Sequence, residues 1–234
     1  MPAAINYVRH DFASRDELAA GLAATVAGAL SEAIEDSGTA TLAVSGGSTP
    51  RKFFEALARI DIDWSNVTVL PVDERFVPET SDRSNARLIK EKLLQGPAAA
   101  ARFVPLFAPN MDVGDAAREA DDHVGRLGVP LDVVILGMGN DGHTASFFPD
   151  ARELDALLDA KAAALVLPVH ATSAGEDRLT LTLPPIVTAR FIALHIEGAE
   201  KAAALDKALA RGSMLPIRRV IDAAETPVEI FWAA

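Results

Sequence analysis

The 234-residue sequence contains no cysteine. Disulfides and thiolate metal sites are excluded with it. Positive charge is also scarce: 22 Lys+Arg face 33 Asp+Glu, for a net charge of −11. Such a chain repels nucleic acid and anionic lipid at long range, so neither a nucleic-acid nor a membrane partner is expected. An anionic ligand would have to be held by a local basic cluster. No apolar run approaches the ~20 residues that a membrane span requires. Residues 1–6 have neither the basic stretch nor the apolar stretch of a secretory signal, so a soluble, cytoplasmic protein is expected. The histidines at 10, 123, 143, 170 and 195 share no ligand spacing such as H-x-x-x-H, and no metal is expected. Apart from His143, each reads as an ordinary surface or packed side chain.

What the chain does have is apolar residues, 50% of the total, enough for a sizeable core. Its length suits a single α/β domain over residues 1–234, against a prior of ~150 residues per domain. Short apolar runs predict strands over 41–44, 67–72, 131–136, 164–169, 179–183, 191–196 and 228–232. Helical patterns fall between them, over 16–35 with Ser14 as N-cap, 50–59, 84–94, 114–127 and 198–210. This alternation predicts an α/β fold, a mainly parallel sheet with helices on both faces. Ligands of such sheets bind beyond the carboxyl ends of the strands. Three segments lie there.

The first is "SGGSTP", residues 45–50. Gly46 and Gly47 allow a tight turn with exposed backbone. Ser45, Ser48 and Thr49 bring hydroxyls, and Ser48 or Thr49 is expected to cap the helix that Pro50 opens. Either a phosphate-binding helix N-terminus or a plain strand-to-helix turn fits these residues. The second is "VDERFVP", residues 72–78. Asp73 and Glu74 beside Arg75 could hold an anion or a developing oxyanion, or form a salt-bridged surface turn.

The third is "LGMGNDGHTASFFPD", residues 136–150. Gly137, Gly139 and Gly142 spell G-x-G-x-x-G, the pattern of a dinucleotide-binding turn. That reading requires a long helix after Gly142 and an acid after the next strand. Pro149 interrupts the helix, and the next strand ends in Val169-His170-Ala171. The residues fit better a turn that projects Asp141 and His143 into a cleft, where histidine takes a proton from water and a carboxylate orients it. Two basic residues complete the set. Arg178 begins "RLTLTL", and Lys201 lies in the first turn of a helix, an unfavourable place against the helix dipole unless an anion is near.

"SGGSTP", "DERFVP" with "SNARLIKEKLL", "LGMGNDGHTASFFP" and "RLTLTLPPI" occur in this order, and together they resemble the 6-phosphogluconolactonases of the oxidative pentose phosphate pathway. The resemblance spans residues 42–201. It implies a Rossmann-like fold similar to those of glucosamine-6-phosphate deaminase and ribose-5-phosphate isomerase. It further implies hydrolysis of 6-phospho-D-glucono-1,5-lactone to 6-phosphogluconate, without metal or cofactor, in a monomer or weak homo-oligomer. By the same resemblance His143 is the general base with Asp141 beside it, and Asp73 and Arg75 belong to the catalytic group. Ser45, Gly46, Gly47, Ser48, Thr49, Arg178 and Lys201 bind the sugar phosphate. A deaminase would carry an Asn-Glu pair where this chain has Phe147 and Phe148, and an apolar pair cannot shuttle protons. A non-catalytic sugar-phosphate sensor would need neither Asp141 nor His143.

Overall fold

Leu18, Leu22, Val26 and Leu30 recur at every fourth position, and all four are fully buried. That spacing puts them on one stripe of a helix. In the computed structural model, which describes residues 6–234, the helix follows an edge strand. The absence of a signal was read largely from residues 1–5, outside the described residues. Strand β1 (Tyr7–Phe12) leads into helix α1 (Arg15–Ser37), then β2 (Ala40–Val44), α2 (Arg51–Leu57), β3 (Val67–Pro71), β4 (Asp73–Arg75), α3 (Asn85–Lys92), β5 (Arg102–Phe103) and α4 (Val113–Leu127). The second half runs β6 (Val133–Leu136), α5 (Leu154–Leu157), β7 (Val166–Val169), β8 (Arg178–Leu181), α6 (Leu183–Val187), β9 (Phe191–Glu197), α7 (Ala199–Leu209), α8 (Pro216–Ala223) and β10 (Val228–Ala233).

Ser14 caps α1 as expected, its hydroxyl accepting from Glu17 N at 3.2 Å. By length and a mean hydropathy of 1.3 over 18 residues, α1 could cross a membrane. Its apolar stripe is instead buried against α2 and the sheet, which is how a core helix passes the same test.

Seven strands form one parallel sheet in the order β1-β10-β9-β6-β2-β3-β5. Side chains alternate between its faces. Leu42, Val44, Val133 and Ile135 join α1, α2 and α3 in one core, and Ala43, Val134, Leu136 and Leu194 join α4, α6, α7 and α8 in the other. Two buried faces explain why these strands read as unbroken apolar runs. From β2 the chain moves outward to β3 and β5, then returns to the other side of β2 as β6. The reversal falls between β2 and β6, so the loops after these two strands open side by side.

The remaining strands depart from expectation. β8 pairs antiparallel with both β4 and β7 in a separate three-stranded sheet, and these strands do not join the parallel one. Leu181 N donates to Val72 O at 2.8 Å, which ties the two sheets together. Residue 73 therefore begins a strand, not a solvated turn. The strand predicted to reach Leu183 stops at Leu181, because the two prolines after Leu183 open α6. α2 starts after Pro50 with no side-chain cap, so neither Ser48 nor Thr49 plays the expected capping part.

Glu74 is fully buried on β4. Its carboxylate accepts from the N–H groups of Asn85 and Ala86 at 2.7 Å and of Arg75 at 2.8 Å, and from the Ser84 hydroxyl at 3.2 Å. Burial raises its pKa, and the three backbone donors oppose that rise. It closes the N-terminus of α3, whose first N–H groups have no partner within the helix. Glu74→Ala strands those donors in the interior and should cost about 3 kcal/mol in urea unfolding at neutral pH. A loss no larger than that of a surface Glu→Ala control would show that water satisfies α3 instead.

Candidate active site

The loops after β2 and β6, strands β4 and β8 and the start of α7 enclose a cleft of about 410 Å³. His143 and Arg75 line it, with Asp73, Arg178, Lys201 and the whole of 45–49. Apart from Asp141, every site residue expected from the sequence faces this cleft. Asp141 reaches it through His143: Asp141 Oδ1 lies 2.6 Å from His143 Nδ1 and accepts from His143 N at 3.2 Å. The histidine is therefore oriented by the acid of its own turn. Holding the proton on Nδ1 leaves the Nε2 lone pair for chemistry.

The glycines of this turn serve geometry. Gly137 N donates to Ser45 Oγ at 3.2 Å, Gly139 N to His143 O at 2.8 Å and Gly142 N to Gly139 O at 3.1 Å. All three N–H groups are spent inside the fold, so they cannot cradle a pyrophosphate. A Cβ at Gly139 would sit 2.2 Å from His143 Nδ1 and 2.4 Å from Asp141 Oδ1. Gly142 adopts φ +79, and a side chain there would strike Leu215 at 2.8 Å. The segment is a scaffold for the histidine–carboxylate pair.

The loop after β2 is built differently. Among the described residues, the N–H groups of Gly46, Gly47 and Ser48 meet no acceptor. A side chain at Gly46 would overlap Asn85 Oδ1, which keeps the loop backbone bare. Ser45 ties this loop to the glycine-rich turn after β6. Exposed N–H groups with no internal acceptor suit an anion.

Arg178 and Lys201 supply positive charge. The Arg178 side chain is 11% exposed, and burial pulls its pKa below the ordinary range while Asp73 opposes that shift. Its nearest polar partners are long: Ala174 O at 3.2 Å, Glu176 at 3.5 Å and Asp73 at 4.0 Å. Burial also lowers the pKa of Lys201, against the carboxylates of Asp141 and Glu200. In the first turn of α7 a lysine opposes the helix dipole, and the carboxylates of Asp141 and Glu200 offset part of that cost.

Asp73 and Arg75 are placed more specifically than the sequence suggests. Asp73 Oδ2 accepts from the buried Ser146 hydroxyl at 2.6 Å and faces Arg178, not His143. Arg75 donates to Arg83 O at 2.6 Å and Asn85 Oδ1 at 3.0 Å. Asn85, Ser146 and Phe148 were not singled out as site residues. Each stands in a quoted motif, but only the fold brings Asn85 and Ser146 to Asp73. His195 is packed as expected, buried beside Phe53 at 6.0 Å between ring centroids, at the edge of the same cleft. No group of three or more potential metal ligands occurs among the described residues.

Residues 13–232 match the family described as "Glucosamine-6-phosphate isomerases/6-phosphogluconolactonase". The chain is similar to a 6-phosphogluconolactonase from Mesorhizobium japonicum, with 57% identity over 97% of this chain and 96% of that protein. It is 48% identical to one from Rhizobium meliloti, covering 96% and 97%. Its fold superposes on the crystal structure of a 6-phosphogluconolactonase from Shewanella baltica with a TM-score of 0.93, at 40% identity over 97% of this chain and 98% of that one.

Proposed function

This chain belongs to the glucosamine-6-phosphate isomerase/6-phosphogluconolactonase family, and from that premise we propose that it hydrolyses 6-phospho-D-glucono-1,5-lactone to 6-phospho-D-gluconate in the oxidative pentose phosphate pathway. The observation that carries the mechanism is His143, braced from behind by Asp141, in the same cleft as a loop with unoccupied N–H groups. The N–H groups of residues 46–48, with Arg178 and Lys201, receive the phosphate and fix the ring. His143 Nε2 takes a proton from water as the water oxygen adds to the lactone carbonyl carbon. The glycine N–H groups of the catalytic turn are already spent, which leaves Arg75, of the donors expected, to meet the oxyanion. Collapse of the tetrahedral adduct breaks the bond to the ring oxygen, and the His143 imidazolium returns its proton to that leaving oxygen. The apolar Phe147 and Phe148 count against acid–base work on an open-chain amino sugar. Because both sheets contribute to the cleft, we read the chain as one domain.

The test generates the lactone in situ with glucose-6-phosphate dehydrogenase and follows 6-phosphogluconate with its own dehydrogenase. Added protein should accelerate product formation well above spontaneous hydrolysis. No acceleration would overturn the proposal, and glucosamine 6-phosphate deamination would be the next assay.

A further inference from the structure

Phe147 and Phe148 end the catalytic turn but have different surroundings. Phe147 is fully buried in the core, whereas Phe148 lines the cleft. The Phe148 ring centroid lies 4.5 Å from that of the His143 imidazole, with 37° between the planes. The Arg178 guanidinium carbon lies 5.5 Å from the same ring. One aromatic ring thus touches both the histidine of the β6 turn and the arginine of β8, which belong to different sheets.

We propose that Phe148 is a positioning residue that sets His143 and Arg178 together. The proposal rests on the lactonase reading for the roles of those two groups. Asp141 fixes one edge of the imidazole, and a second constraint on its face is needed to aim Nε2; the Phe148 ring supplies it. Arg178 has one hydrogen bond, to Ala174 O at 3.2 Å, and longer ion pairs to Glu176 and Asp73, so the ring adds a support on the face of the guanidinium. The negative face of the ring also favours a cation beside it. It therefore stabilises the imidazolium that forms during turnover and holds the guanidinium toward the phosphate. The other charged groups around His143 are Asp141 on its own turn, Lys201 and Glu200 at the start of α7, and Arg178 beyond the ring. From the segment before α8, the uncharged Leu215 faces the turn.

The experiment replaces Phe148 with tyrosine, leucine and pentafluorophenylalanine, the last of which keeps the shape while withdrawing the π electrons. It reads the His143 titration midpoint by NMR, and kcat and KM on the phosphorylated lactone and on unphosphorylated glucono-1,5-lactone. Pentafluorophenylalanine and leucine should lower the midpoint by about half a pH unit. They should raise KM for the phosphorylated lactone by about threefold and leave that for the unphosphorylated one nearly unchanged. Tyrosine, which keeps the ring, should match the wild type. An unchanged midpoint and KM in the pentafluoro variant would overturn the proposal, even if the leucine variant failed to fold. Absence of lactone turnover by the wild type would sink the lactonase reading alone, since the NMR series judges Phe148 without turnover.

Discussion

His143→Ala should lower kcat by about 10²- to 10⁴-fold, the usual contribution of a positioned general base. Its thermal unfolding should stay close to that of the wild type. The side chain is 29% exposed and its one polar partner, Asp141, is itself on the surface. Removing it therefore opens no core cavity and buries no unpaired charge. The rate loss comes from chemistry. Asp141 holds Nδ1, so Nε2 is the only ring atom able to take the water proton. His195, at the edge of the same cleft, is buried with its Nε2 3.3 Å from Glu197. A variant keeping more than about a tenth of wild-type kcat would remove His143 from the mechanism.

Arg178→Lys should raise KM for the phosphorylated lactone by roughly 10- to 100-fold, the range expected when a charge-assisted hydrogen bond of ~1.5–3 kcal/mol is lost. Hydrolysis of glucono-1,5-lactone should change little, because that substrate has no phosphate. Lysine keeps the charge but not the fork, and its flexible stem cannot lie against Phe148 as the planar guanidinium does. Keeping the charge also prevents Asp73 and Glu176 from losing their counterion, so folding should survive. Steady-state kinetics on both lactones separates the cases. Equal losses on the two substrates would mean that Arg178 serves the chemistry or the fold instead of the phosphate.

Much of this protein was legible from local chemistry. Val133–Leu136 is a fully buried run in the middle of the parallel sheet and reads as a strand without context. Ser14 announces α1, and the spacing of Leu18, Leu22, Val26 and Leu30 predicts which face it buries. β1 escaped because it is an edge strand with no fully buried side chain, and the polar Arg9, His10 and Asp11 interrupt its apolar residues. The three-residue β4 is too short for any period to register. The expectation that Ser48 or Thr49 caps α2 failed because the chain turns through Pro50 before the helix begins.

In the site, Gly139, Asp141, Gly142 and His143 act within one turn, and the sequence by itself determined that they form a projecting histidine–carboxylate pair. Turns, caps and strand periodicity depend on residues a few positions apart, where backbone sterics and local hydrogen bonds decide. Only the tertiary structure decided that Ser45 bonds to Gly137 across 92 positions, that Ser146 bonds to Asp73 across 73, and that Asp73 faces Arg178 while Glu74 is buried against the N-terminus of α3. Adjacent residues of a strand point to opposite sides, so the roles of Asp73 and Glu74 are exchanged by a register shift of one. That register is set by pairing β4 with β8, which depends on burying both cores at once rather than on any property of the three residues themselves.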